Sequence, residues 1–383
     1  MAQFLHSSGS MYLNHYVMEL HQSVDLQRLQ NAWRVAQDRF DMLRTGFAEV
    51  DAGHIPFAMI TYKKGEMSLP WGDQRDCHSV DVERGQETAR TEILARLQDP
   101  PWRLAVTRRD SKVYLQLSAL HSLYDAQSLR TIFHGVHEAY EGRNIAPEVP
   151  IESTLGRILQ ANSASPEGQQ DFWQDRMKDV HLSRFPVLTP SRVASNAVVT
   201  VKQTCSLSRG QLERRCQERG VTLQAAGQAA WARILSAYTG EASVSYGLVL
   251  SGRLAEYDAS QTVAFPCVST LPICCRLTGK NEDLMRQIME DTKQLLKNPS
   301  TPLSTIQRIL GRPREPLFDS IFAYQKMEGP ESGRRPPWDI VEEIASADVS
   351  LRWTAKGLYD LLTVHRPLSL LSWSPATMSF ISQ

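Results

Sequence analysis

An α+β fold in two lobes is what this sequence predicts, and three observations carry the prediction. The chain has 383 residues, more than one hydrophobic core ordinarily serves, so two lobes are expected. Apolar residues recur at helical spacing in some stretches and at alternate positions in others, so helices and strands share each half of the chain. The segment from Gly142 to Pro150 carries prolines at 147 and 150 and reads as a linker, which divides the chain into residues 1–150 and 151–383.

The first lobe opens with Asp25 followed by Leu26, Leu29, Trp33, Ala36 and Phe40. That 3-4-3-4 rhythm predicts a capped amphipathic helix leading into a strand around Leu43 to Val50. A second helix is predicted near Glu87 to Leu97. It is stopped by Asp99-Pro100-Pro101, because proline offers no backbone donor and clashes with the preceding turn. Val113, Leu115, Leu117 and Ala119 alternate as in a strand, which puts His121 at its C-terminal end on the same inward phase. From Leu129 the pattern changes to Leu129, Ile132, Phe133, Val136 and Tyr140, one stripe of a helix.

The second lobe repeats the mixture. Helices are predicted at Glu167 to Lys178, at Arg209 to Glu218 ending on Gly220, from a Thr222 cap through Ala237 with Gly240 closing it, and at Glu282 to Leu296. Strands are predicted at Val198 to Leu207, Val244 to Leu250 and Phe318 to Tyr324.

Composition narrows the function. Lys plus Arg equals Asp plus Glu at 42 each, so no strong field recommends nucleic acid or an acidic membrane surface as partner. The six cysteines, Cys77, Cys205, Cys216, Cys267, Cys274 and Cys275, form no Cys-x-x-Cys pair and no zinc spacing, so no metal site is expected. Free thiols, no signal peptide and no apolar run of membrane-spanning length together predict a cytoplasmic chain. His134, His137 and Glu138 could share a helix face, but the apolar stripe runs through Phe133, Val136 and Tyr140, so the histidines are expected to face solvent.

His121 and Asp125 carry the chemistry. Imidazole is the side chain that takes up and releases a proton near neutral pH without special help, and a strand end holds it rigidly while leaving it reachable. Asp125 is equally well read as a helix N-cap, which would fix the loop that carries His121.

The stretch Leu120-His121-Ser122-Leu123-Tyr124-Asp125-Ala126 resembles the His-His-x-x-x-Asp-Gly motif of condensation domains in nonribosomal peptide synthetases. Asp41 to Phe47 resembles the upstream Leu-Arg-Thr-x-Phe motif. Ser251-Gly252-Arg253 followed by Phe265 to Pro272 resembles the region ending in Asn-Thr-Leu-Pro, and Leu317 to Gln325 resembles a late strand motif. The wording is most similar to fungal, ferrichrome-type siderophore synthetases.

The resemblance implies two chloramphenicol-acetyltransferase-like lobes in a V-shaped pseudo-dimer around a central tunnel. It implies that 4'-phosphopantetheine arms arrive on partner carrier domains, with adenylation domains as further partners and no cofactor held by the chain itself. His121 would orient or deprotonate the attacking amine. Asp125, the other catalytic-motif residue, would be structural and paired with Arg44. Arg44, Leu120 and Ala126 would support the motif, Tyr124, Ser251, Gly252, Arg253, Ser269 and Thr270 would line the substrate passage, and the chain would be a monomer.

Departures from the pattern bear on activity. Leu120 replaces a histidine, Ser269 an asparagine and Ala126 a glycine, where a methyl would be expected to crowd the backbone or restrict a left-handed turn. Met1 to His6 resembles the inside of the first family motif, so a lead-in segment is expected to be missing. After Asp348 the resemblance stops, and closing strands are expected to be absent, with a sheet edge left bare. Two other readings stay open: a non-catalytic docking or scaffold relic, and a free-standing acyltransferase that uses coenzyme A.

Overall fold

A computed structural model describes residues 4–5, 7–9, 12–52, 55–73, 81–109, 111–145, 150–163, 166–178, 183, 199–253, 263–277, 279–296, 301–313, 315–325, 336–344, 349–356 and 361–365. Cys77 and Pro147 lie outside these residues. The chain forms two compact units. The first comprises Met1–Arg157, Arg253–Cys267 and Ser332–Ser346; the second comprises Ile158–Gly252, Val268–Glu331 and Ala347–Gln383. A single cut at residue 150 is thereby corrected, since the chain returns twice to the first unit after leaving it.

In the first unit, strands β1 (Leu13–Leu20), β4 (Trp71–Asp73), β5 (Trp102–Arg109), β6 (Lys112–Leu120) and β11 (Trp338–Ile344) form a sheet in the order β11-β1-β6-β5-β4. Among the described residues β4 and β5 pair in parallel, and the other neighbours in this sheet are antiparallel. A separate hairpin joins β2 (Thr45–Ala52) to β3 (Ile55–Thr61). Helix α1 (Leu26–Arg39) begins where Asp25 accepts the Arg28 N–H at 3.0 Å, and it buries Leu29, Ala32, Trp33 and Ala36. Trp33 meets Trp102 of β5 with ring centroids 5.9 Å apart. Helix α2 (Asp81–Ala95) supplies Ile93 to a cluster with Phe4, Leu13 and Leu120.

That cluster explains a difference from the sequence expectation. The last six residues of β6 are all buried, so both faces of the strand are covered and the apolar phase that carries Leu115, Leu117 and Ala119 is not the only inward one. The same double burial hides β1, whose Asn14 and His15 break any apolar alternation, so no strand was expected there. Gly46, between Thr45 and Phe47, admits a close crossing: a Cβ there would fall 1.7 Å from the Gln98 carbonyl oxygen, and the neighbouring Phe47 N–H donates to Leu97 at 2.7 Å. Helix α3 (Ala126–Tyr140) starts three residues earlier than its apolar stripe. His137 is buried at 8 % exposure against Trp338 of β11, which corrects the expected solvent-facing pair; His134 is exposed.

Helices α4 (Ile151–Ser163) and α5 (Pro166–Met177) follow. The second unit then builds a six-stranded sheet, β7-β12-β13-β10-β8-β9, from β7 (Val199–Ser208), β8 (Ser243–Leu250), β9 (Ser269–Arg276), β10 (Ile321–Gln325), β12 (Val349–Lys356) and β13 (Leu361–His365). Its helices are α6 (Arg209–Gln217), α7 (Leu223–Thr239), α8 (Asn281–Leu295) and α9 (Leu303–Ile309). Thr222 caps α7 through the Ala225 N–H at 3.1 Å, and Gly240 ends it in the left-handed conformation at φ 75°. Trp173, Trp231, Leu235, Tyr246, Leu248, Ile273, Ile288 and Phe322 fill the core. Closing strands are present, contrary to expectation: β12 pairs with β7 and β13, and β13 with β10, which joins the two halves of the sheet.

Candidate functional site

The site grows from the end of β6. Leu120 is 1 % exposed within the cluster of Phe4, Leu13 and Ile93, so an apolar side chain is what this position packs. His121 follows directly, partly exposed, with its N–H donating to the Tyr12 carbonyl at 2.8 Å. Tyr12 itself takes a left-handed backbone, φ 65°, which is costly for a residue with a Cβ and marks the entry to β1 as constrained. Two residues on, the Leu123 N–H donates to Leu120 at 2.9 Å, turning the chain toward α3.

Asp125 is the N-cap of α3. Its Oδ1 accepts the Ser128 N–H at 2.7 Å, while the Ser128 hydroxyl accepts the Asp125 N–H at 2.7 Å, a reciprocal box that satisfies two otherwise orphaned donors. The carboxylate does more than cap. Arg253 Nη2 lies 2.8 Å from Oδ1 and 3.0 Å from Oδ2, and the Cys267 N–H donates to Oδ2 at 2.9 Å. The two side chains are 4 % and 8 % exposed, so the pair is buried, and the guanidinium also donates to the carbonyls of Val263 at 3.1 Å and Phe265 at 2.8 Å. Arg253 and residues 263–267, both distant in sequence, are thereby tied to the residue four positions after His121.

Several expectations are corrected here. Arg44 is not the partner of Asp125: it pairs with Asp41 and donates to the carbonyls of Gln37 and Tyr62, tying the end of α1 to the end of β3. Arg253 takes that place and is too buried to line a passage. Tyr124 is 2 % exposed and stacks on His121, with ring centroids 4.9 Å apart and planes 18° from parallel, so it sits behind the imidazole and not on an open wall. Ala126 is exposed in the first turn of α3 with an ordinary negative φ, and no left-handed glycine is needed there. Ser251 and Gly252 follow β8, and Ser269 and Thr270 open β9, paired with Leu250 and Val249; these four belong to the second unit.

Sequence reasoning missed Asn14, Tyr16 and His15. Asn14 Nδ2 donates to the Tyr124 hydroxyl at 2.8 Å, and the Tyr16 hydroxyl donates to it at 3.2 Å. His15 Nδ1 and the Ser118 hydroxyl are 2.7 Å apart, and Gln116 donates to the same hydroxyl at 3.2 Å. Burial lowers the His15 pKa to about 4, so its ring is neutral at physiological pH. The signal in the sequence is the polar pair Asn14-His15 in a mostly apolar octapeptide that also carries Glu19.

Burial pushes the Cys267 thiol up to about 11, with Arg253 opposing and Asp125 assisting, so it stays protonated and is no nucleophile at neutral pH. Among the described residues there is no group of three or more His, Cys, Asp or Glu side chains able to hold a metal, and no helix long and apolar enough to cross a membrane. The site thus presents the partly exposed imidazole of His121, whose neighbouring carboxylate is engaged elsewhere.

A family model described as the condensation domain matches residues 1–351. The chain is 37 % identical over 353 residues to a nonribosomal peptide synthetase sidC of Arthroderma benhamiae, covering 92 % of this chain and 7 % of that protein. It is 29 % identical over 331 residues to a hydroxamate-type ferrichrome siderophore peptide synthetase of Schizosaccharomyces pombe, covering 84 % of this chain and 6 % of the relative. The chain therefore spans less than a tenth of the length of these relatives. Among solved structures, the condensation domain of a monacolin K polyketide synthase superposes with a TM-score of 0.73 at 17 % identity, covering 95 % of this chain and 88 % of the other. The first condensation domain of the calcium-dependent antibiotic synthetase, in complex with a substrate analogue, gives 0.71 at 13 % identity, covering 99 % and 91 %. At these identities the likeness speaks for the α+β fold.

Proposed function

We propose that this chain, which belongs to the condensation-domain family, joins two thioester-bound substrates by acyl transfer within a peptide synthetase that makes a hydroxamate-type siderophore. The amine of the acceptor attacks the thioester carbonyl of the donor; a C–N bond forms, the C–S bond breaks, and the donor's pantetheine leaves as a thiol. His121 is the residue in contact with the reacting amine, orienting it and accepting its proton, which passes on to the departing sulfur. Much of the acceleration comes from holding two tethered reactants together. Asp125 holds α3 and, through Arg253 and Cys267, the returning chain; its carboxylate is a positioning group and not a second base. The pantetheine arms belong to carrier domains, adenylation domains load them, and the chain works as a monomer in the cytoplasm.

The observation that carries this reading is the partly exposed His121 at the end of β6, held through its own N–H by the Tyr12 carbonyl, with Asp125 four residues on fixed in place by a buried arginine. A scaffold role without catalysis rests on the changed motif and the altered ends; against it, Leu120 fits an apolar cluster and Ala126 a helical first turn, so both replacements are accommodated by local packing. With both substrates loaded on carrier domains, His121→Ala should reduce condensation by roughly 10²- to 10⁴-fold. Equal rates for the two proteins would leave the scaffold reading standing, and turnover of free coenzyme A thioesters would favour the third.

A further inference from the structure

Directly behind His121 lies a group to which the proposed chemistry assigns nothing. The Tyr124 ring is buried and nearly parallel to the imidazole. Its hydroxyl is gripped from β1 by Asn14 and Tyr16, 110 and 108 residues away, and the Tyr16 ring meets it edge-on at 6.1 Å and 69°. Tyr16 is in turn wedged against Phe133 of α3 at 6.4 Å and 86°. The same strand end receives the His121 N–H through Tyr12. The two hydrogen bonds fix the position of the ring's tip and the edge-on Tyr16 restricts its turning, so the face that stacks on His121 is held in a defined orientation.

We infer that Tyr124 is a positioning residue for His121: its face sets the plane of the imidazole, and Asn14 and Tyr16 of β1 set the plane of Tyr124. The negative face of a tyrosine ring also favours an adjacent cation, so the same contact stabilises the imidazolium formed when the amine gives up its proton. This deepens the reading of His121 as the acyl-transfer base and rests on it for its kinetic test, whereas the spectroscopic test stands by itself.

The first variant is Tyr124→Leu, which removes the face. It should lower kcat by about 3- to 30-fold with little change in KM, as expected for a contact that acts on the transition state. In histidine-labelled protein, the ring-proton signals assigned to His121 by their loss in His121→Gln should move, because the tyrosine ring current is gone. Tyr124→Phe retains the face but loses the grip of Asn14 and Tyr16, and should recover only part of kcat. Adding Asn14→Leu to Tyr124→Phe should cost no further activity, since the hydroxyl through which Asn14 acts is already absent.

Wild-type kcat in Tyr124→Leu, or His121 ring signals that do not move, would overturn the assignment. Should Tyr124→Leu fail to fold, the Tyr124→Phe and Asn14→Leu pair decides: non-additive losses support the relay and fully additive ones overturn it. An inactive wild type whose His121 signals still move in Tyr124→Leu would sink the acyl-transfer reading while supporting the stacking assignment.

Discussion

The two sheets bury different things. Along β1 and β6 in the first unit, Asn14, His15, Gln116 and Ser118 are all less than 9 % exposed, and each has a side-chain hydrogen bond. Along β8 and β9 in the second, the buried side chains are Val244, Tyr246, Leu248, Leu250, Leu271, Ile273 and Cys275, with Ser245 held by Ser183. Burying a polar group without a partner costs free energy, and burying it with one contributes little net stability, so a polar sheet interior is no cheap way to hold a fold together. What satisfied polar groups do contribute is a unique geometry. Their concentration on the strand that ends at His121 and on its neighbour is where such geometry is needed, while the second sheet is held by apolar area.

The largest effect should come from removing the arginine of the buried pair. Arg253→Ala leaves the Asp125 carboxylate buried beside Phe265 and Cys267 and should destabilise the protein by about 3–5 kcal/mol in denaturant unfolding, with condensation lost in step. Its counterpart in the second sheet is Leu248→Ala, which opens a cavity in an apolar core. It should cost roughly 2–5 kcal/mol yet leave the activity per folded molecule near wild type. Loss of activity there equal to that of Arg253→Ala would break the contrast between the sheets.

A pH effect of intermediate size distinguishes them further. Above pH 6.5 His15 is neutral whether the chain is folded or not, and contributes no slope. As the pH falls from 6.5 to about 4, the unfolded chain binds a proton that the buried ring refuses, so stability declines through that window by on the order of 3 kcal/mol. His15→Gln should flatten this part of the stability curve, as read from thermal midpoints across the range; an unaltered slope would show that other groups dominate it. The smallest effect is Ala126→Gly, which restores the family's residue at an exposed helical position. It should change stability by no more than about 1 kcal/mol, and condensation by little.

Legibility in the sequence followed the range of the interaction. Asp25, Asp125, Thr222 and Gly240 each mark a helix end because a cap bonds to atoms within three or four residues, and those are visible in order. The strands β1 and β11 were not legible: β1 is covered on both faces, which erases the alternation by which a half-buried strand is recognised, and β11 exposes Ile340 and Val341 while pairing with a strand more than 300 residues earlier. Arg44 and Arg253 make the same point for the site. Both guanidiniums are buried and both find a carboxylate, but Arg44 takes Asp41, three residues away, and leaves Asp125 to an arginine 128 residues downstream.

By itself, then, the amino-acid order determined the alternation of helices and strands, the placing of an imidazole at a strand end before a capped helix, and the family to which that pattern belongs. Tertiary structure alone decided which arginine closes on Asp125, why Leu120 is acceptable beside the histidine, and that Tyr124 lies behind the imidazole, anchored from β1. The reason is that ion pairs, packing and stacking depend on separation in space, and chain order reports that separation only across the few residues of a single turn.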